Sequence, residues 1–135
     1  MVWNIKKLLA MGIGIDFLVD TNILIYAMEG HPIVAGVLLC SPGISVISEI
    51  ELLGKKGITK QEINDISCLL DGFKIISLND VIKDITISLK QEYSIKSFDA
   101  IIAATAKAYG LQLVTADKNF RKISDIDVVI LDLQS

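Results

Sequence analysis

Five short runs, FLVD (17–20), ISVI (44–47), FKIISL (73–78), LQLVT (111–115) and DVVILDL (127–133), are apolar and rich in β-branched residues, with little of the alternation that marks a half-exposed strand. Strands that read this way are buried on both faces, which is the habit of parallel sheets. Between them lie segments of helical spacing. ILIYAM follows the polar triplet Asp20-Thr21-Asn22; Pro32 sits at a first helical turn and opens IVAGVLLC, which Ser41-Pro42-Gly43 stops; SEIELLGKK is helical again. Thr59 with Glu62 three residues later has the spacing of a capping box, opening a helix through INDISCLL to Gly72. Asn79 caps a helix to about Tyr93. Ser97 caps another whose apolar positions Phe98, Ile101, Ile102, Thr105 and Tyr109 keep helical spacing until Gly110, and a short turn spans Lys118 to Ile123. Strand after helix after strand predicts an α/β fold, a parallel sheet covered on both faces.

Length and composition narrow the partners. A chain of 135 residues, 52% hydrophobic and 21% charged, suits one well-buried domain, which we place at 15–135 behind an N-terminal extension, 1–14, with Met11 an alternative start. Sixteen acidic against thirteen basic residues leave a net charge of −3, so a polyanion has to be held by local charge or by a metal. Cys40, Cys68 and the single His31 are too few for a disulfide scaffold or a zinc site of nitrogen and sulfur ligands. Lys6 and Lys7 before LLAMGIGI imitate a short signal peptide, but Asp16 and Asp20 interrupt the run, and nothing approaches the ~20 apolar residues of a spanning helix. A cytoplasmic protein with no membrane partner is expected.

In open parallel sheets the ligand crevice lies beyond the carboxyl ends of the strands, where the strand order reverses. Asp20 ends the first strand and Asp117 follows the end of the fourth by two residues, so both project into one crevice if those strands are neighbours. Asp99 falls in the first turn of its helix, where a carboxylate also favours the helix dipole. It shares a face with Ile102, Ala103 and Ala106, an apolar stripe on which an unpaired charge is costly and calls for a metal or a lysine. Glu49 and Glu51 stand about 200° apart on their helix, so only one can face the crevice, and periodicity does not choose between them.

FLVDTNILIYA, ISVISEIELLG and FDAIIAATAKAYGLQLVTADKNF, taken in order over residues 15 to about 132, resemble the PIN-domain ribonucleases, and within them the VapC-type toxins of toxin–antitoxin pairs. The resemblance implies a three-layer α/β sandwich whose five-stranded parallel sheet has the order 3-2-1-4-5, making strands one and four neighbours. It implies that Asp20, Glu51, Asp99 and Asp117 are a metal-binding catalytic quartet, with Thr21, Asn22, Thr115 and Asn119 in support. Two departures stand out: Phe98 replaces the usual proline before the third acid, and Asn119 stands where some relatives carry a further acid. A homodimer and a cognate antitoxin are also implied.

Four carboxylates in one crevice repel one another and call for a divalent cation, and ligation by oxygen alone selects Mg²⁺ or Mn²⁺. With no histidine base and no serine or cysteine nucleophile beside one, the chemistry left is metal-assisted hydrolysis of a phosphodiester, with RNA as substrate from the resemblance. A net acidic chain then needs an electropositive rim. Lys55, Lys56 and Lys60 near the Glu51 helix, Lys118, Arg121 and Lys122 beside Asp117, and Lys96 before the Asp99 helix are available; we single out Lys96, Lys118 and Arg121 for substrate. Tyr26, Tyr93, Phe98 and Phe120 are expected in the core or in caps, Cys40 and Cys68 as small hydrophobes, and His31 as a surface or capping residue. Two other function classes remain open: a non-catalytic RNA- or protein-binding module of the same fold, and a stand-alone nuclease without antitoxin. A phosphoacceptor or phosphatase of another doubly wound fold is disfavoured, because Asp20-Thr21-Asn22 supplies neither adjacent acids nor Asp-x-Asp.

Overall fold

A computed structural model describes residues 15–40 and 42–133. The N-terminal extension expected over 1–14, the alternative start at Met11, and Ser41 of the expected helix stop lie outside the described residues. The elements run β1 (Phe17–Val19), α1 (Thr21–Met28), α2 (Pro32–Leu38), β2 (Pro42–Ser45), α3 (Val46–Leu53), α4 (Lys60–Leu70), β3 (Lys74–Ile76), α5 (Asp80–Glu92), α6 (Ser97–Tyr109), β4 (Gln112–Thr115), a 3₁₀ turn (Lys118–Lys122) and β5 (Val128–Ile130). The five strands form one parallel sheet in the order β3-β2-β1-β4-β5, as the resemblance implies. From β1 the chain builds outward through β2 to β3, then returns to the other side of β1 for β4 and β5. The order therefore reverses between β1 and β4, which places the crevice there.

Strand alternation feeds two cores. Leu18, Ile76 and Leu113 pack with Ile82 and Leu89 of α5 and Ile102, Ala103 and Ala106 of α6. Their neighbours Val19, Ile44 and Val114 pack on the opposite face with Ile23 and Leu24 of α1, Val34 of α2, Leu52 of α3, and Ile66 and Leu70 of α4. Both faces of the central strands are thus apolar, which is why the runs lack alternation in sequence. At Gly43 a β-carbon would fall 2.8 Å from two side-chain carbons of Ile15, so only glycine lets that buried isoleucine seat on β2. Gly110 takes the left-handed conformation (φ 64°) that closes α6 and turns the chain into β4. The Thr59–Glu62 capping box is present in both halves, and Lys55, 3.2 Å from Glu62, together with the cap holds the Glu62 carboxyl below its ordinary value.

Several sequence expectations are corrected. The second strand is 42–45 and not 44–47: Ser45 accepts from the Ile47 amide at 3.1 Å and caps α3, so Val46 and Ile47 are helical despite their β-branched side chains. Ser97 is the first helical residue of α6; Lys96 is the cap and makes no side-chain capping bond. Cys40 and Cys68 are exposed instead of packed, and Phe98, 45% exposed, is not a core residue. Phe120 is buried as expected, and His31 caps α2 by accepting from the Ile33 amide at 3.3 Å. Among the described residues no helix is long and apolar enough to cross a membrane.

Candidate functional site

β1 ends at Val19 and the Asp20 amide continues the ladder to the Val114 carbonyl at 2.9 Å, so Asp20 begins α1 at the mouth of the β1/β4 switch point. Its side chain is doubly held. Oδ1 accepts from the Thr21 amide at 2.8 Å as the cap of α1, and Oδ2 accepts from the Thr115 hydroxyl at 2.7 Å. At 5% exposure the charged form is poorly solvated, and burial pushes the Asp20 carboxyl up to about 6 against the pull of both hydrogen bonds; Asp99 and Glu51 push further in the same direction.

Thr115 is buried at the end of β4 and serves three neighbours: besides donating to Asp20 it accepts from the Asp117 amide at 3.0 Å and from the Asn22 amide group at 3.4 Å. Asn22 Oδ1 in turn accepts from the Ala116 amide at 3.2 Å. The turn that carries Asp117 is therefore tied to α1 from two sides. Asp117 caps the 3₁₀ turn through the Asn119 amide at 2.9 Å.

Helix phase settles which glutamate faces the crevice. Thr21 Oγ1 lies 2.8 Å from Glu51 Oε1 and 2.9 Å from Ser48 Oγ; its one proton goes to the charged acceptor. Glu49, in the first turn of α3, makes none of these contacts. Ser48, wholly buried, is a member of this network that sequence reasoning passed over. The signal was available, because Ser48 lies three residues before Glu51 and so shares its helix face.

Asp99, in the first turn of α6, is half-buried and not fully sunk in the apolar stripe. Its carboxyl is raised by burial first, then by Asp117 and Glu51, while Lys96 and Lys122 pull it back. A cavity of about 410 Å³ opens beside it, lined by Lys96, Asp99, Asp117, Asn119, Phe120 and Lys122 among others. A second, of about 350 Å³, lies across the Asp117–Asn119 turn and is lined by Tyr26, Lys118, Leu131 and Leu133. Of the lysines and arginine singled out for substrate, Lys96 lines the first cavity and Lys118 the second. Arg121 is exposed and lines neither.

Asp20, Glu51, Asp99 and Asp117 thus feel one another's charge across the crevice, although among the described residues no three acidic, histidine or cysteine side chains stand close enough to hold a cation as placed. Their fit to a hard divalent ion lies in the donors: all oxygen, one buried carboxyl raised toward neutrality, and another raised by acidic neighbours.

Comparison with known proteins agrees with this geometry. The PIN domain family model matches residues 17–126. Among solved structures, the chain is similar to VapBC2 from Rickettsia felis bound to a DNA fragment from its promoter (25% identity, TM-score 0.77, covering 86% of this chain and 98% of that one). It is similar also to a toxin-antitoxin complex from Klebsiella pneumoniae (34% identity, TM-score 0.72, 84% and 95%). VapBC-1 from nontypeable Haemophilus influenzae matches with 26% identity and TM-score 0.71 over 84% and 96%. A search of curated proteins gave no match. With 110 consecutive residues matched by the family model, and its sheet order and crevice those of the fold, the chain belongs to the PIN-domain family and is similar within it to VapC-type toxins.

Proposed function

We propose that the chain is a Mg²⁺- or Mn²⁺-dependent endoribonuclease, the toxin of a toxin–antitoxin pair. The observation that supports this most is that four acids from separate segments surround the β1/β4 switch point within reach of one another's charge, Asp20 with Asp99 and Glu51, and Asp99 with Asp117 and Glu51. These four would hold the cation. When bound, it supplies a water of lowered pKa and offsets the charge of the phosphodiester and of the departing oxygen. The remaining residues set geometry. Thr115 fixes the rotation of Asp20, Thr21 aims Glu51, and Asn22 with Thr115 pins the turn that presents Asp117. Asn119 flanks the fourth acid and lines both cavities.

The partner is a cognate antitoxin, by likeness to the K. pneumoniae complex, which is a toxin-antitoxin pair. A basic side chain from such a partner is the natural competitor for a cation among carboxylates. Ile25, Met28, Ile33 and Leu39, all more than 40% exposed on or beside α1 and α2, offer an apolar surface for protein contact. The proposal includes a homodimer and one PIN-like domain over 15–135.

Purified protein is expected to cut RNA with Mg²⁺ or Mn²⁺ and to stop in excess EDTA. Undiminished cleavage in EDTA would sink the proposal, and RNA that is bound but never cut under any metal condition would replace it with a binding module.

A further inference from the structure

We infer that Lys96 and Lys122 form a phosphate subsite for the nucleotide next to the scissile bond. This inference rests on the nuclease reading above and deepens it. The two lysines come from different segments, the residue before α6 and the end of the 3₁₀ turn, yet line one cavity with Asp99 and Asp117. The cavity therefore has an acidic wall and a basic wall. At about 410 Å³ it falls within the ~300–1,000 Å³ of small-molecule sites, and partly exposed Ile95 gives it apolar surface for a sugar or base.

Neither lysine is engaged in an ion pair among the described residues, unlike Lys55, Lys83 and Lys107. Lys122 donates to the carbonyl of Ser94, another residue of the cavity lining, and has two of its three N–H groups left for a ligand. A cation held at that place by a neutral acceptor acts on Asp99 only through space and has no direct ionic partner. Beyond the divalent cation that the quartet would hold, an incoming phosphodiester meets a chain of net charge −3, so basic side chains at the same opening favour its entry. Lys118 faces the other cavity and Arg121 neither, so the structure moves the expected substrate contact from Arg121 to Lys122.

The test is steady-state cleavage of a short fluorogenic single-stranded RNA by the full chain, with binding of the same labelled RNA measured by anisotropy in EDTA. Lys96→Gln and Lys122→Gln are each expected to raise KM about 3- to 10-fold with kcat within about twofold, the mark of lost uniform binding. Each should also lower the slope of log affinity against log salt by about 0.7. Lys122→Gln also breaks the bond to Ser94, so Lys122→Arg, which keeps charge and donors, should stay near the parent KM. Lys74→Gln, at the amino end of β3 and the opposite end of the sheet, should match the parent. A parent that cleaves RNA while Lys96→Gln and Lys122→Gln keep its KM and salt slope overturns the subsite alone. A parent that neither binds nor cleaves RNA overturns the nuclease reading and the subsite with it.

Discussion

The two halves of the crevice are built on different principles. Around Asp20 both carboxylate oxygens have an assigned partner, a helix amide and the Thr115 hydroxyl, and Asp20, Thr21, Ser48 and Thr115 are all buried, with exposed Glu51 reaching in to Thr21. Around Asp99 and Asp117 the side chains are half-exposed, and charge is balanced across a cavity by two long, flexible lysines. Preorganised donors lose little freedom when a reaction begins, whereas long cations on an open wall adapt to whatever enters. The inner half suits a fixed task, and the outer half suits reception of a variable polymer.

The largest effect should come from removing the charge of Asp20 in the inner half or of Asp99 in the outer one. Asp20→Asn and Asp99→Asn are each expected to lower RNA cleavage on the order of 10³-fold, about 4 kcal/mol of barrier. Retention of more than a tenth of parental activity by either would break the idea that both halves serve one centre. The halves should separate in cation-free stability. The Asp20 carboxyl, raised from 3.8 to about 6, stays protonated in the folded chain while the unfolded chain ionises. Its contribution to stability is thus present below pH ~4 and lost as pH rises through about 6, a fall of up to about 3 kcal/mol. Urea melts in EDTA at pH 4.5 and 7.5 should show this fall in the parent and a smaller one in Asp20→Asn, with Mg²⁺ restoring the parent at pH 7.5. Equal pH dependence of the two proteins would show that Asp20 is better solvated than its burial implies.

Next in size is Thr115→Val, which leaves Asp20 Oδ2 and the Asp117 amide without their shared partner. Cleavage should fall roughly 10- to 100-fold, as for other residues that orient ligands, and stability by about 1–3 kcal/mol. A normal enzyme with Val at position 115 would mean the inner half does not need its hydrogen bonds. The smallest contrast is within one helix: Glu51→Gln should lose about tenfold, because Thr21 can still bond the amide oxygen, and Glu49→Gln less than about twofold. Matching losses would place Glu49 in the crevice as well.

Strand and helix order were legible because burial on both faces writes itself into unbroken apolar runs, and caps such as Asn79 and Thr59 announce helix starts locally. Boundaries slipped where a cap and a propensity disagreed, as at Ser45 against Val46 and Ile47. The adjacency of the strands that carry Asp20 and Asp117 came from the resemblance, since strand order is a long-range property that no local pattern records. The choice of Lys122 over Arg121 was hidden for a related reason: in a 3₁₀ turn neighbouring residues diverge by about 120°, and without the phase of the turn the sequence cannot say which one faces Asp99.

Asp20 both starts a helix and stands in the crevice, and this double duty bears on inheritance. A lineage that abandons the chemistry cannot discard the residue freely, because α1 still needs an acceptor for its first amides. Asn and Ser cap nearly as well as Asp, while Ala costs about 1 kcal/mol. Retired members of this fold should therefore carry Asn or Ser at the position of Asp20, a substitution that ends the reaction and leaves the architecture standing.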